Sequence, residues 1–185
     1  VIAAYKKSLA KNPPHIATRN SSQNALDIIN PATPETIGGS ADLTGSNNTK
    51  SKDLKVFSSA DYAGRYVHWG IREHGMAASL NGMALSDVRA YGSTFFVFSD
   101  YLRPSMRLSA LMQLPVIYIF THDSIGVGED GPTHEPIEHL AAARGIINLD
   151  VHGLPHGVIV DDIGLNGVQI REKENERPIF FRAAN

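Results

Sequence analysis

The chain has 185 residues, a formal net charge of −2 and a hydrophobic content of 42%. Its length and composition fit a single globular domain with a sizeable core, and its charge provides no basic surface for electrostatic binding of nucleic acid. Because the sequence contains no cysteine, it excludes disulfides, zinc–thiolate sites and thiol catalysis.

The start of the chain is expected to lead into the domain. Residues 1–17 predict a short amphipathic helix closed by Asn12-Pro13-Pro14, which is typical of a linker. The apolar stretch here is too short for a signal peptide or a membrane span, so we expect a cytoplasmic protein with no membrane partner. The first residue is Val and not Met, which favours a piece of a longer protein.

Residues 18–185 alternate between helix-like and strand-like patterns. Helices are predicted at residues 18–29, 71–85, 95–113, 135–145 and 161–173, and strands at 36–41, 66–69, 89–92, 115–120, 146–151 and 178–181. Pro31 and Pro34 should end the first helix, and Pro104 should kink or break the third. The alternation predicts an α/β fold that is doubly wound, with a mostly parallel sheet and helices on both faces.

The strand at 115–120 runs directly into the densest group of polar side chains. Residues 121–134 read Thr-His-Asp-Ser-Ile-Gly-Val-Gly-Glu-Asp-Gly-Pro-Thr-His and hold two histidines, three acids and three glycines. A strand that ends in such a turn presents its side chains at the carboxyl edge of the sheet, where open α/β sheets bind ligands.

Three interpretations of this loop follow from the residues alone. Residues 126–131 match G-x-G-x-x-G, but Glu129 and Asp130 would oppose a diphosphate and Pro132 delays the next helix, so we reject a dinucleotide site. A metal site stays open, although the compact spacing of two histidine ligands is missing. Simple hydrogen bonding within an ordered loop also stays open. The candidate metal ligands are His122, Asp123, Asp130 and His134.

Four blocks of the sequence together resemble the transketolase family, in the domain that binds the aminopyrimidine of thiamine diphosphate. In chain order they are Gly38-Gly-Ser-Ala-Asp-Leu43, Gly70-Ile-Arg-Glu-His-Gly-Met76, Thr94-Phe-Phe-Val-Phe-Ser-Asp-Tyr101 and the loop at 121–134. The resemblance covers residues 18–150. It implies thiamine-diphosphate-dependent transfer of a two-carbon ketol unit between phosphosugars, with residues 18–185 as the pyrimidine-binding domain.

Glu73 resembles the catalytic carboxylate that faces N1′ of the pyrimidine. A proton shared between this carboxyl group and N1′ lets the 4′-amino group become the imine that deprotonates the thiazolium carbon. The resemblance therefore implies a desolvated Glu73 with a raised pKa. Its position alone would indicate only a favourable acid in the first turn of a helix.

Further cofactor contacts are implied by the same resemblance. Phe95, Phe98 and Tyr101 fall at i, i+3 and i+6 of the predicted helix, a spacing that alone indicates a core-facing stripe. In the family, such rings pack around the pyrimidine. Asp42 resembles the acid that lies near the thiazolium side.

The resemblance assigns substrate contacts to Arg19, Ser46, His122, Asp130, His134 and Arg182. The two histidines would contact the sugar and take part in catalysis, and the aspartate would lie near the sugar hydroxyl groups. The arginines and the serine would grip the phosphate. The match weakens after residue 151, where His152-Gly-Leu-Pro-His-Gly157 departs from the family pattern.

The Gly-Asp-Gly motif with which the family binds the diphosphate does not occur in this sequence. The resemblance therefore implies that a diphosphate-binding domain, with its Mg or Ca ion, and a C-terminal domain lie outside this chain, and no metal ligand is assigned within it. We expect a homodimer or a hetero-assembly with the missing domain. The alternatives are a subunit of a split 1-deoxyxylulose-phosphate synthase or dihydroxyacetone synthase-like enzyme, and a non-catalytic module that binds a partner.

Overall fold

The structure, a computed structural model, describes residues 1–124, 127, 130–152 and 179–183. The predicted helix at 161–173 lies outside the described residues, and so do Gly126, Gly128 and Glu129 of the loop. Within the described part of the chain, no helix is long and apolar enough to cross a membrane.

Six strands and six helices are described. The strands are β1 (Thr36–Ser40), β2 (Tyr66–His68), β3 (Arg89–Phe95), β4 (Ile117–Thr121), β5 (Leu149–His152) and β6 (Ile179–Ala183). The helices are α1 (Ile2–Lys11), α2 (Thr18–Ala32), α3 (Thr44–Asn47), α4 (Glu73–Leu85), α5 (Ser99–Leu111) and α6 (His139–Arg144). α1 has no buried residue, and its expected role as a linker stays a prediction.

The strands form one sheet in the order β2-β1-β3-β4-β6-β5. The strands β1 to β4 are parallel to one another, and β6 is antiparallel to both β4 and β5. Parallel neighbours need crossover connections, and helices provide them here. The predicted α/β fold with a mostly parallel sheet is confirmed.

The two faces of the sheet are covered by different helices. Successive residues of a strand point to opposite faces. Tyr118 and Phe120 of β4 belong to the large cluster that contains α4 and α5 side chains, whereas Ile119 packs with Leu26 of α2. All of these side chains are buried, which explains why β4 reads as a continuous apolar run.

The end of α2 differs from the prediction. Pro31 lies inside the last turn, and the helix ends at Ala32. The carbonyl of Asn30 would normally accept from the N–H of residue 34, but Pro34 has none. Nη2 of Arg65 donates to this carbonyl at 3.0 Å instead, so a side chain replaces the missing backbone donor.

The predicted helix at 95–113 is wrong at its start. β3 continues to Phe95, a 3₁₀ turn covers Phe96–Phe98, and α5 begins only at Ser99. Five consecutive residues of β3 pair with β4 in parallel register, and this ladder extends the strand beyond the predicted end at residue 92. α5 continues through Pro104 to Leu111, so the helix does not break there, and the kink stays a prediction.

Other bounds move by a few residues. The helix predicted at 135–145 is the shorter α6, β5 begins at Leu149 rather than at residue 146, and the polar turn at 42–48 contains α3. The segment at 50–64 is irregular, although Ser51 and Leu54 are buried.

Substitution of Gly38 tests how closely β1 packs against the ring of Tyr91. A Cβ at this position would overlap the ring of Tyr91, which is 2% exposed. We expect Gly38→Ala to lower the free energy of unfolding by about 1–3 kcal/mol through overpacking, as measured by urea denaturation of the chain. The matched control is Gly82→Ala in α4, where nothing lies within 4 Å. It should raise the free energy of unfolding by about 0.5–1 kcal/mol, and equal effects of the two changes would contradict the packing.

Candidate functional site at the carboxyl edge

The carboxyl ends of the parallel strands lie side by side. Ser40, the last residue of β1, is paired with Ser93 of β3, and the last residues of β3 and β4, Phe95 and Thr121, are paired with each other. We call this side of the sheet the carboxyl edge. Both α4 and α5 begin here, because each follows a strand of the parallel set. Most of the implied site residues lie at a strand end or within six residues after it: Asp42, Ser46, Phe95, Phe98, Tyr101 and His122.

Glu73 is the first residue of α4 and is only 7% exposed. The start of a helix favours a negative charge, because its backbone N–H groups and its dipole point that way. The helix is pressed against β3 at Gly92, where a Cβ would lie 2.6 Å from Cδ1 of Leu80 and 2.9 Å from Sδ of Met76. This close packing fixes the position of Glu73, which lies one turn before Met76.

Three hydrogen bonds join α4 to α5, and one of them runs from Oγ of Ser109 to Oδ1 of Asn81. Nδ1 of His74 lies 3.2 Å from Oγ of Ser105, and Nδ2 of Asn81 donates to the carbonyl of Ser105 at 3.0 Å. The starts of both helices are therefore held on the same face of the sheet. Glu73 thereby shares the carboxyl edge with the aromatic residues that lead into α5.

The three predicted aromatic residues do not share one helical face. Phe95 ends β3, Phe98 lies in the 3₁₀ turn and Tyr101 lies in α5. Their rings nevertheless form a row, with centroids 5.8 Å apart between Phe95 and Phe98 and 5.9 Å apart between Phe98 and Tyr101. The row runs from a ring that is 7% exposed to one that is 64% exposed. The row offers an apolar surface at the carboxyl edge, on which a flat ligand can pack.

The two predicted histidines both contact this aromatic row. The ring of His122 lies over Phe95 with a centroid distance of 3.8 Å, and His134 meets Phe98 edge-on at 5.4 Å. Nη1 of Arg19, from α2, lies 3.4 Å from Nε2 of His122. The structure thus brings Arg19, both histidines and the row together, although they are far apart in the sequence.

The remaining predicted residues are placed differently. Ser46 is half-buried in α3, and Asp42 and Asp130 are exposed. The backbone of Arg182 pairs with Ile117, at the amino end of β4 and so at the opposite end from Thr121. The backbone of Arg182 therefore lies away from the carboxyl edge.

Three buried residues at this edge are missing from the sequence-based set: Ser40, Asn47 and Thr121. Ser40 and Thr121 end buried strands within the quoted blocks, so their polarity at those positions was an available signal. Asn47 gave no such signal, because it lies in a polar turn. Its amide nevertheless links the other two, since Oδ1 accepts from Thr121 and Nδ2 donates to Ser40.

A metal site made by the loop is not supported. Among the described residues, three or more potential ligand atoms gather within 4.8 Å of one another only in Asp100, Glu138 and His139. There, Nε2 of His139 already lies 3.1 Å from Oδ2 of Asp100. This pair ties the start of α6 to α5 and does not involve the loop histidines.

A parallel α/β domain with a buried acid and an aromatic row at its carboxyl edge defines a ligand-binding domain of the α/β class. Residues 14–156 match the family model described as transketolase, pyrimidine binding domain. The chain belongs to this family.

Proteins named transketolase are similar to this chain both in sequence and in structure. The chain is 59% identical over 151 residues to a transketolase from Cereibacter sphaeroides, a match that covers 81% of this chain and 23% of that protein. A crystal structure of Pichia stipitis transketolase in complex with sedoheptulose 7-phosphate superposes with a TM-score of 0.72 at 49% identity, covering 74% of this chain and 21% of that one. A Leishmania mexicana transketolase gives a TM-score of 0.70 at 47% identity, with 75% and 22% covered. The chain spans less than a quarter of the length of these relatives.

Substitution of Asp42 tests the left-handed backbone conformation of this residue, which lies just after the end of β1. Its φ is 60°, in the left-handed region that β-branched residues avoid. We expect Asp42→Val to lower the free energy of unfolding by about 1–2 kcal/mol, whereas Asp42→Gly should leave it unchanged or raise it by up to about 1 kcal/mol. Urea denaturation measures both. The same two changes at Asp53, which is exposed and has no positive φ, should not reproduce this preference for Gly, and a Val variant at 42 as stable as the Gly variant would refute the geometry.

Proposed function

We propose that this chain supplies the pyrimidine-binding half of a thiamine-diphosphate-dependent transketolase, which transfers a two-carbon ketol unit between phosphosugars. The observation that carries the proposal is the buried carboxylate of Glu73 at the start of α4, on the same edge as the aromatic row. Membership of the pyrimidine-binding family and the names of the relatives support it.

The residues at the edge fit the pyrimidine of this cofactor. When bound, thiamine diphosphate supplies a stabilised carbanion equivalent for breaking and forming carbon–carbon bonds. Glu73 would hold a proton at N1′ of the pyrimidine, because a buried carboxyl group shares a proton with a ring nitrogen more readily than a solvated one does. Phe95, Phe98 and Tyr101 would pack against the flat ring and exclude water from it.

The sugar side of the site would be formed by the loop and by α2. His122 and His134 stand beside the aromatic row, where they can hydrogen-bond sugar hydroxyl groups. Arg19 is adjacent to His122, and a guanidinium group suits a phosphate because it presents paired donors. Arg19 and Ser46 would therefore bind the phosphate. Asp42 would face the thiazolium side, and Asp130 would face the sugar.

The partners follow from the fraction of the relatives that the chain covers. We assign the diphosphate and its Mg or Ca ion to another domain, either of a longer form of this protein or of a partner subunit in a dimer. The proposed compartment is the cytoplasm. The Ser40-Ala-Asp42 and Thr121-His-Asp-Ser124 blocks favour transketolase over 1-deoxyxylulose-phosphate synthase, and the similar curated proteins carry the name transketolase.

The catalytic assignment can be tested in a chimera. Residues 14–150 would replace the matching segment of the Cereibacter sphaeroides transketolase, and ketol transfer would be assayed with thiamine diphosphate and magnesium. Glu73→Gln should lower turnover by at least about 100-fold, because it removes the acid–base group while keeping the size of the side chain. Glu35→Gln is the control, since Glu35 is half exposed and forms an ion pair with Arg89 on the surface. Wild-type turnover in the Glu73 variant would rule out the assigned role.

A second test examines the proposal that another domain, and not this chain, binds the diphosphate of the cofactor. Calorimetric titration of thiamine diphosphate into the 185-residue chain with magnesium should show binding weaker than micromolar, because much of the affinity for such a cofactor comes from its charged diphosphate. The same titration into the chimera should show saturable binding. Saturable micromolar binding to the chain alone would contradict the assignment of the diphosphate to another domain.

A further inference from the structure

A buried histidine joins the end of the polar loop to the start of α5. His139, the first residue of α6, is 5% exposed, and its Nε2 lies 3.1 Å from Oδ2 of Asp100 in the first turn of α5. Because a carboxylate can only accept a hydrogen bond, Nε2 donates. The other ring nitrogen, Nδ1, is buried and has no hydrogen-bond partner among the described residues. The contact with Asp100 is therefore the hydrogen bond that anchors this ring.

The apolar part of the same ring packs on the core. Its centroid lies 5.7 Å from that of Phe96, which is buried and packs in turn against Phe120 at 5.5 Å. Both Phe96 and Asp100 belong to the segment that runs from the end of β3 into α5. His139 therefore fixes the start of α6 against this segment.

The end of the polar loop makes a second contact with the same segment. The ring of His134 meets Phe98 edge-on at 5.4 Å, and Phe98 lies two residues before Asp100. His139 follows only five residues after His134. The stretch between the two histidines is thus held at both ends, by a ring contact at its start and by a hydrogen bond at its end.

Within the described chain, no second hydrogen bond could replace that of His139 at the end of the loop. Among residues 130–145, all of which the structure describes, no other side chain forms a hydrogen bond or ion pair with a different element. Pro136 lies between the two histidines and is buried, and its ring restricts rotation of the backbone. A displacement of His139 is therefore transmitted to His134.

We propose that Asp100 and His139 are positioning residues. Their hydrogen bond holds the ring of His134 against Phe98, and thereby beside a ligand that packs on the aromatic row. The inference rests on the proposed function for the identity of that ligand. A glutamine at position 139 can place its amide donor where Nε2 stands, so His139→Gln is the conservative variant. His139→Leu is its apolar counterpart, of similar size but without a donor.

The position of His134 can be measured by NMR on the complete chain. Nuclear Overhauser contacts between the rings of His134 and Phe98 should be present in the wild type and in His139→Gln. They should be lost in His139→Leu, because the hydrogen bond to Asp100 cannot form. Glu138→Gln is the matched control, since it removes a neighbouring charge but keeps the hydrogen bond, and it should keep the ring contact. A ring contact that persists in His139→Leu would overturn the proposal.

A contact on the opposite face of the sheet shows whether each variant is folded. Leu26 and Ile119 pack together there, and their Overhauser contact should be unchanged in every variant. If His139→Leu loses this contact as well, Asp100→Ala decides in its place, because Asp100 is half exposed and does not belong to the core. It should release His134 in the same way, and a retained ring contact would again refute the proposal.

Kinetics of the chimera separate a positioning role from a general loss of structure. His139→Leu should raise the KM for the phosphosugar by about tenfold, the effect of one lost hydrogen bond, with a smaller change in kcat. His139→Gln should stay within about twofold of the parent. In a His134→Ala background, His139→Leu should have little further effect, because the group that it positions is absent.

Two kinetic outcomes would contradict the positioning role. One is an unchanged KM in His139→Leu, and the other is a full tenfold effect, about the same as in the parent, when His134 is already alanine. If the parent chimera lacks ketol transfer, the proposed function fails, whereas the NMR measurement still decides whether the hydrogen bond positions His134.

Discussion

Hydrogen bonds between buried side chains hold the ends of the parallel strands in fixed positions. Oγ of Ser93 donates to the carbonyl of Gly39 at 3.0 Å, and Oγ1 of Thr49 lies 2.7 Å from Ser93 and 3.2 Å from the hydroxyl group of Tyr66. Burial raises the pKa of Tyr66, so its hydroxyl group remains a donor. Losing one partner in such a network leaves a buried polar group unsatisfied at a cost of about 1–3 kcal/mol. These hydrogen bonds therefore fix the backbone that carries the side chains of the carboxyl edge.

The site was predictable from the sequence where one block sufficed to define it. Glu73 lies at the start of a helix in the structure as in the sequence pattern, and β4 is a buried strand that runs into the loop. Asn47 was not predictable, because its partner Thr121 is 74 residues away and only the fold brings the two together. The row of aromatic rings shows both cases, since the family resemblance identified its residues but their predicted placement on one helix is wrong.

Strand patterns do not encode direction, and Arg182 shows the consequence. A strand was predicted at 178–181, and the structure has β6 at Ile179–Ala183. Because β6 is antiparallel to β4, its register carries Arg182 towards the amino end of the sheet. A parallel strand in the same place would have carried it towards the carboxyl edge. Pairing partners decide this orientation, and alternation of apolar residues cannot reveal it.

Three exposed apolar residues fit the proposal that another domain covers this edge. Ile71, Tyr101 and Ile137 are 80%, 64% and 75% exposed, and each lies at or just before the start of a helix on the carboxyl side of the sheet. Single exposed apolar residues are common, but these three share the side on which Glu73 and the aromatic row are found. A partner domain that closes over them would complete the desolvation of Glu73 and shield the outer ring of the row. The same contact would thus serve both association and the acid–base role proposed for Glu73.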